Sequence, residues 1–310
     1  MKNKNLRYIL YLGFGILMFS FFEVVSKSTK GVITPSQLTY YRFFIGGIIL
    51  LPFAIRDIKQ KHIQLNAKFF ITFTIMGTLL VALSMTLSQT GIAYSTASLT
   101  AILFSSNPLF VSLFSSFILK EELTKGKIVG LLIGILGLCV TCANIFLTPY
   151  NVTPTFILGA VLIIISMLIF SFYTVMNKKI TPTYSTFVCT SFSSIFGSIV
   201  LLIYYSAISI PKGINPFAFD IGAILPQFLF LCIFVTGLAY YFYFDALAHL
   251  DTSISSMSFF IKPPLASILA AVILKETISL NLIVGIVLIL SAVFISVKFG
   301  SKPHKSKTPL

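Results

Sequence analysis

Charge is scarce in this 310-residue sequence: Asp, Glu, Lys and Arg make up only 10% of it, against 57% hydrophobic residues. So few polar groups cannot coat a soluble particle of that size, which excludes an ordinary water-soluble globule. Histidine is scarcer still. His62, His249 and His304 fall in loops, the tail or a span end, so a Ser-His dyad or a histidine metal site inside a membrane has no source. A pair of intramembrane aspartates is also missing, and the chain is expected to be no enzyme, with no catalytic residue, metal or cofactor. The four cysteines, Cys139, Cys142, Cys189 and Cys232, all lie in apolar runs and read as small packing residues, not as a disulfide framework. Tryptophan is absent, and no polar stretch is long enough for a soluble domain.

What the sequence has in quantity is apolar runs of roughly 20 residues, each able to cross about 30 Å of hydrocarbon. Ten are predicted, over 7 to 28, 35 to 55, 67 to 91, 96 to 118, 127 to 147, 155 to 177, 185 to 207, 222 to 248, 252 to 274 and 279 to 298. The fold class is thus an all-α integral membrane protein of ten transmembrane helices. The first run follows Lys2, Lys4 and Arg7, but it is too long for a signal peptide and contains Glu23, so it reads as an uncleaved first helix.

The net charge of +14 invites a nucleic-acid reading, and the placement of the basic residues removes it. With the N-terminus inside, sixteen of the 22 Lys and Arg residues fall in inner segments, four (Lys27, Lys30, Lys212, Lys275) in outer ones, and Arg42 and Lys262 within spans. Both termini are therefore expected in the cytoplasm, with a multi-pass chain in the cytoplasmic membrane. Tail lysines such as Lys302 and Lys305 are each worth about 1 kcal/mol against anionic lipid heads. The bilayer is the expected partner; no nucleic acid is expected.

The chain is written twice. LKEELTKGKIVG at 119 to 130 returns as LKETISLNLIVG at 274 to 285, and FSFFEVVSK at 19 to 27 returns as FSFYTVMNK at 170 to 178. The offsets are 155 and 151, and Gly46 maps onto Gly197 at the second. Two halves of five spans each follow, at 1–148 and 149–298, with a basic tail at 299–310. Five is odd, so the second copy enters the membrane from the opposite side, and such inverted repeats build alternating access.

These residues resemble the drug/metabolite transporter superfamily, EamA type. The resemblance rests on Asn107-Pro108 through Glu121 and Gly130, and on Lys262-Pro263 through Glu276 and Gly285. It implies a central cavity between the halves, with the first four helices of each repeat around it and the fifth and tenth peripheral. It does not imply one substrate, because the family moves amino acids, nucleobases, sugars, other metabolites and drugs.

Polar residues inside the spans are the candidate site. A proline in a membrane helix frees the carbonyl four residues back, and interrupted helices at matching positions point to a transport site. Pro108 is expected to free Phe104, and Pro263 and Pro264 to free Phe259 and Phe260. Each break is preceded by a polar residue, Asn107 or Lys262. A midplane lysine costs about 2.5–3.5 kcal/mol unless paired or wetted, so Lys262 should face the cavity.

Glu23 has three cations within reach, Arg42, Lys27 and Lys262, and is either an anchor for Arg42 or a working residue. Its repeat counterpart is Thr174. Phe22 and its counterpart Tyr173, with Tyr41 and Tyr240, are the aromatic candidates for the pathway. Asp245, His249 and Asp251 read as an inner vestibule. Asn177, Lys178 and Lys179 read as anchors, and Lys120 and Glu121, repeated as Lys275 and Glu276, as a shared turn.

Glu23, Arg42 and Lys262 sum to +1, which favours a carboxylate substrate. The expected function is a secondary carrier that exports or exchanges a small metabolite, amino acids or related acids first, by alternating access. A flippase for lipids or lipid-linked groups, or a multidrug efflux carrier, is the rival, and a homodimer is left open.

Overall fold

The computed structural model describes residues 2–147, 153–252, 255, 258–275 and 280–300. The boundary between the expected halves, Glu276 and the tail beyond 300 lie outside the described residues, as does the side chain of Cys142.

Among the described residues the chain is helical without a strand, in ten successive segments. They are α1 (Lys2–Ser28), α2 (Pro35–Gln60), α3 (Ala67–Tyr94), α4 (Ala97–Phe104 and Asn107–Ile118), α5 (Lys125–Leu147), α6 (Pro154–Tyr184), α7 (Thr186–Ser209), α8 (Ile221–His249), α9 (Lys262–Leu274) and α10 (Leu280–Gly300). Seven of them, α1 to α4 and α6 to α8, are long and apolar enough to cross a membrane. The other three occupy the fifth, ninth and tenth predicted positions.

Short polar residues start these helices because a side-chain oxygen can satisfy the first-turn amides that have no partner within the helix. Thr34 closes a capping box with Gln37, with Pro35 opening α2. Asn66, Thr96, Thr153, Ser185 and Asp220 cap α3, α4, α6, α7 and α8 in the same way. The expected sixth span was too short: α6 continues through Lys178 and Lys179 to Tyr184. Cations are favourable near a helix C-terminus, so those lysines do not end it.

The packing repeats as the sequence does. α1 lies against α8 and α9, and α6, its counterpart, lies against α3 and α4. α2 packs on α8 as α7 packs on α3. The self-paired contacts α2 with α7, α4 with α9 and α5 with α10 lie where a pseudo-two-fold exchange maps each pair onto itself. α5 and α10 pack mainly on one another, beside the other eight.

Close approach at these interfaces needs glycine. A Cβ added to Gly197 would lie 2.2 Å from the carbonyl oxygen of Gly77, so α3 and α7 meet backbone to backbone. Gly46, the counterpart of Gly197, faces α8 in the same manner, where a Cβ would lie 3.1 Å from the amide nitrogen of Gly237.

Two features were not expected from the sequence. α3 widens into a π-helix over Thr78–Met85, and α8 does the same over Leu231–Ala239. Each stretch follows or contains one of the paired glycines, and π turns concentrate at functional sites.

Candidate functional site

The two broken helices face one another. α4 is interrupted at Ser105-Ser106, and Asn107 and Pro108 open its second piece. A 3-10 turn, Ser258–Ile261, precedes α9, which Lys262 opens with Pro263 and Pro264 behind it. At each break the prolines stand in the first turn of a new helical piece, where a missing N–H costs nothing. Of the carbonyls expected to be freed, that of Phe259 accepts from the Ser105 hydroxyl at 3.4 Å, so one break supplies a donor to the other.

Beside these breaks lies a small chamber of about 20 Å³. Both repeats contribute to its wall, and every lining residue is buried. Such a volume holds roughly one water molecule, far below the 300–1,000 Å³ typical of a ligand pocket. The chamber is buried and contracted.

Phe22, Glu23, Arg42, Tyr240 and Lys262 all line it, drawn from α1, α2, α8 and α9. Glu23 finds its cation in Lys262, whose Nζ lies 2.5 Å from Oε1, with both side chains 3% exposed or less. The second carboxylate oxygen, Oε2, has no hydrogen-bond partner. Lys27, offered as an alternative partner, donates to the carbonyls of Ile92 (3.0 Å) and Ser95.

Arg42 is wholly buried. Its guanidinium carbon sits 4.5 Å from the Phe22 ring centroid and 4.4 Å from that of Phe43, so two aromatic faces carry the cation. Nη1 donates to Thr236 Oγ1 at 3.2 Å, while Nε and Nη2 make no hydrogen bond of good geometry, with the Tyr240 hydroxyl beside the guanidinium. Arg42 Nε and Nη2, Glu23 Oε2 and the Ser88 hydroxyl thus stand without a hydrogen bond around a space lined by both repeats, each costing about 1–3 kcal/mol if left so.

Three expected residues are not in the wall. Asn107 is buried and its Oδ1 accepts from Ser171 Oγ at 3.0 Å. Tyr173 is buried with its hydroxyl accepting from Asn177 Nδ2 at 2.9 Å, one turn on. Tyr41 turns away from Arg42 into an aromatic group with Tyr40, Phe219 and Phe228. Sequence reasoning missed Phe19, Met85, Ser88, Phe170 and Val235, and considered Phe104 and Phe259 only for their carbonyls. A signal existed: Phe19 and Phe170, and Phe104 and Phe259, are repeat counterparts at offsets 151 and 155. Met85 and Val235 sit in the two π stretches, which nothing in the sequence announces.

Away from the chamber, residues expected to be anchors form a network. Lys178 Nζ donates to the Leu250 carbonyl at 2.6 Å and pairs with Glu121 at 3.4 Å. Thr252 Oγ1 donates to Glu121 at 2.6 Å, and Lys127 pairs with Asp251 at 3.4 Å. Asp245 accepts from Thr186 and lies 3.9 Å from His249, whose ring stacks on Tyr8. Lys120 and Lys275 share a left-handed φ of 57°, as a repeated turn requires. Among the described residues no group of His, Cys, Asp and Glu could hold a metal ion.

Known proteins agree with this architecture. An uncharacterized transporter of Clostridium kluyveri is 32% identical over 300 residues, 94% of this chain and 93% of its own. The uncharacterized transporters YyaM and YvbV of Bacillus subtilis are 23% and 25% identical over 94% and 97% of this chain, and 93% and 94% of their own. A solved crystal structure superposes with a TM-score of 0.71 over 93% of this chain and 96% of the other, at 18% identity, which speaks to the fold alone. The EamA-like transporter family matches twice, over residues 6–143 and 157–298. The chain is a multi-pass membrane protein with a transporter's role, and it belongs to the EamA-like transporter family.

Proposed function

We propose that the protein is an alternating-access carrier of the cytoplasmic membrane, both termini inside, that exports or exchanges a small metabolite bearing a carboxylate. Amino acids and related acids are the first candidates. The observation that carries this reading is Arg42, buried between the repeats with Nε and Nη2 making no hydrogen bond of good geometry. A planar carboxylate meets such a fork with two parallel hydrogen bonds. With Glu23 and Lys262 beside it the chamber carries +1, so one anionic group neutralises it. The Phe19, Phe104, Phe170 and Phe259 rings give the rest of the solute an apolar wall.

Alternation follows from the geometry of an inverted repeat. Exchanging the conformations of the two halves moves the opening from one face to the other around a fixed site. The contracted chamber fits the state passed between the two.

The test is an untargeted comparison of metabolites in cells and medium with and without overexpression, repeated with Lys262→Ala and Glu23→Gln. The expected result is a carboxylate that leaves the cells with the parent and not with either variant. Purified protein in liposomes then separates the rivals: solute exchange supports the carrier, whereas lipid scrambling without it replaces the reading with a flippase, and efflux confined to cationic drugs replaces it with a multidrug pump.

A further inference from the structure

Lys27 and Lys178 occupy the same position in the two repeats, 151 residues apart, and each ammonium sits on the end of a helix. Lys27, at the end of α1, donates to the carbonyls of Ile92 and Ser95, and Ser95 is the C-cap of α3. Lys178, in the last turns of α6, donates to the carbonyl of Leu250, which is the C-cap of α8. Ser95 and Leu250 are themselves repeat counterparts at offset 155. The last carbonyls of a helix have no partner within it and carry its negative dipole end, so a lysine ammonium is well matched there.

The two contacts lie at opposite ends of the bundle. Ser95 stands immediately before α4, while Glu121, the ion-pair partner of Lys178, stands just past the end of α4. Each lysine therefore ties a hairpin tip to the first helix of its own repeat: α3–α4 to α1 at one face, α8–α9 to α6 at the other. The Lys178 contact also crosses between repeats through Glu121, and Thr252 and the Lys127–Asp251 pair fasten the α4–α5 connection to the α8–α9 tip. Glu276, the sequence counterpart of Glu121, lies outside the described residues. With both ties made, the walls leave only about 20 Å³ between them.

We propose that Lys27 and Lys178 are paired gate latches, one on each face of the membrane, and that opening the chamber to a face requires that face's lysine to release its helix end. The proposal rests on the alternating-access reading. Releasing Lys178 frees the α8–α9 tip toward the cytoplasm; releasing Lys27 frees the α3–α4 tip toward the outside. The two events exclude one another, because the inverted repeat trades one closed end for the other.

The test uses the full chain in membranes, with the four cysteines replaced by alanine and Ser88→Cys placed in the chamber wall. A membrane-impermeant maleimide is applied from each face in right-side-out and inverted vesicles. Lys178→Ala is expected to raise labelling from the cytoplasmic face about tenfold, the scale of one lost charge-assisted hydrogen bond, and to lower it from the outer face. Lys27→Ala should do the reverse, and Lys178→Arg should stay near the parent. Asp251→Asn, which removes the Lys127 ion pair of the same inner closure while keeping the Lys178 side chain, should shift labelling in the direction of Lys178→Ala, and it decides the matter if Lys178→Ala does not reach the membrane. Face-dependent labelling that ignores both lysines, or that moves the same way in both, overturns the latches alone. Passage of the maleimide through the parent from one face of the vesicle to the other, as through an open channel, overturns the carrier reading itself.

Discussion

Glu23 and Lys262 lie 239 residues apart in the chain and share a buried ion pair, with Nζ 2.5 Å from Oε1. The pair joins the first helix of one repeat to the broken helix of the other, so it crosses the interface between the halves. Its partners are unequal by descent: Thr174 replaces Glu23 in the second copy and bonds its own Phe170 carbonyl at 2.8 Å, and Asn107 replaces Lys262 in the first.

Removing one member leaves the other charged and unpaired in a dry site. Glu23→Gln or Lys262→Met alone is expected to lower stability by about 3–5 kcal/mol, whereas the double substitution should regain most of that loss. Thermal unfolding of the detergent-solubilised protein measures it. A double variant as unstable as the singles would show that the pair is not what couples them.

Arg42 is held by geometry as much as by charge. Arg42→Lys keeps the charge but loses the flat fork between Phe22 and Phe43, and is expected to weaken exchange of a carboxylate solute by roughly ten- to a hundredfold. Concentration dependence of exchange in liposomes reads this out; an unchanged half-saturation would remove Arg42 from the solute's path.

Backbone contact between α3 and α7 leaves no room for a methyl group. Gly197→Ala is expected to destabilise by about 1–3 kcal/mol through overpacking against Gly77. Gly13→Ala, with nothing within 4 Å of the added Cβ, serves as the comparison and should be neutral or gain up to about 1 kcal/mol. Equal melting temperatures for the two variants would contradict the close approach.

Filling the chamber should stop transport without stopping insertion. Ser88 lines it with an unpaired hydroxyl, so Ser88→Val, which adds little volume and removes that hydroxyl, is expected to abolish exchange while leaving membrane yield near that of the parent. Undiminished exchange would place the solute route elsewhere.

Much of this was legible in the order of residues alone. Hydropathy placed the helices because a bilayer imposes one length on every span, and the duplicated LKE and FSF segments carried the symmetry that the packing then displays. Glu23, Arg42 and Lys262 were conspicuous because charge in hydrocarbon needs a reason. The choice of partner for Glu23 was not legible: three cations lay at overlapping depths, and which one meets it depends on how α1 rotates against α9. Tyr173 and Asn107 misled for a related reason. Repeat equivalence fixes where a residue sits on its helix, but Ser171, across on α6, holds the Asn107 side chain, and Asn177, one turn on, holds that of Tyr173. The π stretches left no trace because an extra residue in a turn changes neither composition nor hydropathy. Lys178 looked like an interface anchor and Lys27 like a partner for Glu23, because depth alone does not reveal that a helix end waits beside each.

A chamber of about 20 Å³ bears on any measurement of affinity. Cargo larger than a single water must first push the walls apart, and the free energy of that expansion is subtracted from whatever its contacts supply. Observed dissociation constants will thus understate the intrinsic fit by the fraction of time the walls stand open. A physiological solute for this carrier should bind modestly and be carried briskly, while a compound that binds tightly by wedging the walls apart should act as an inhibitor.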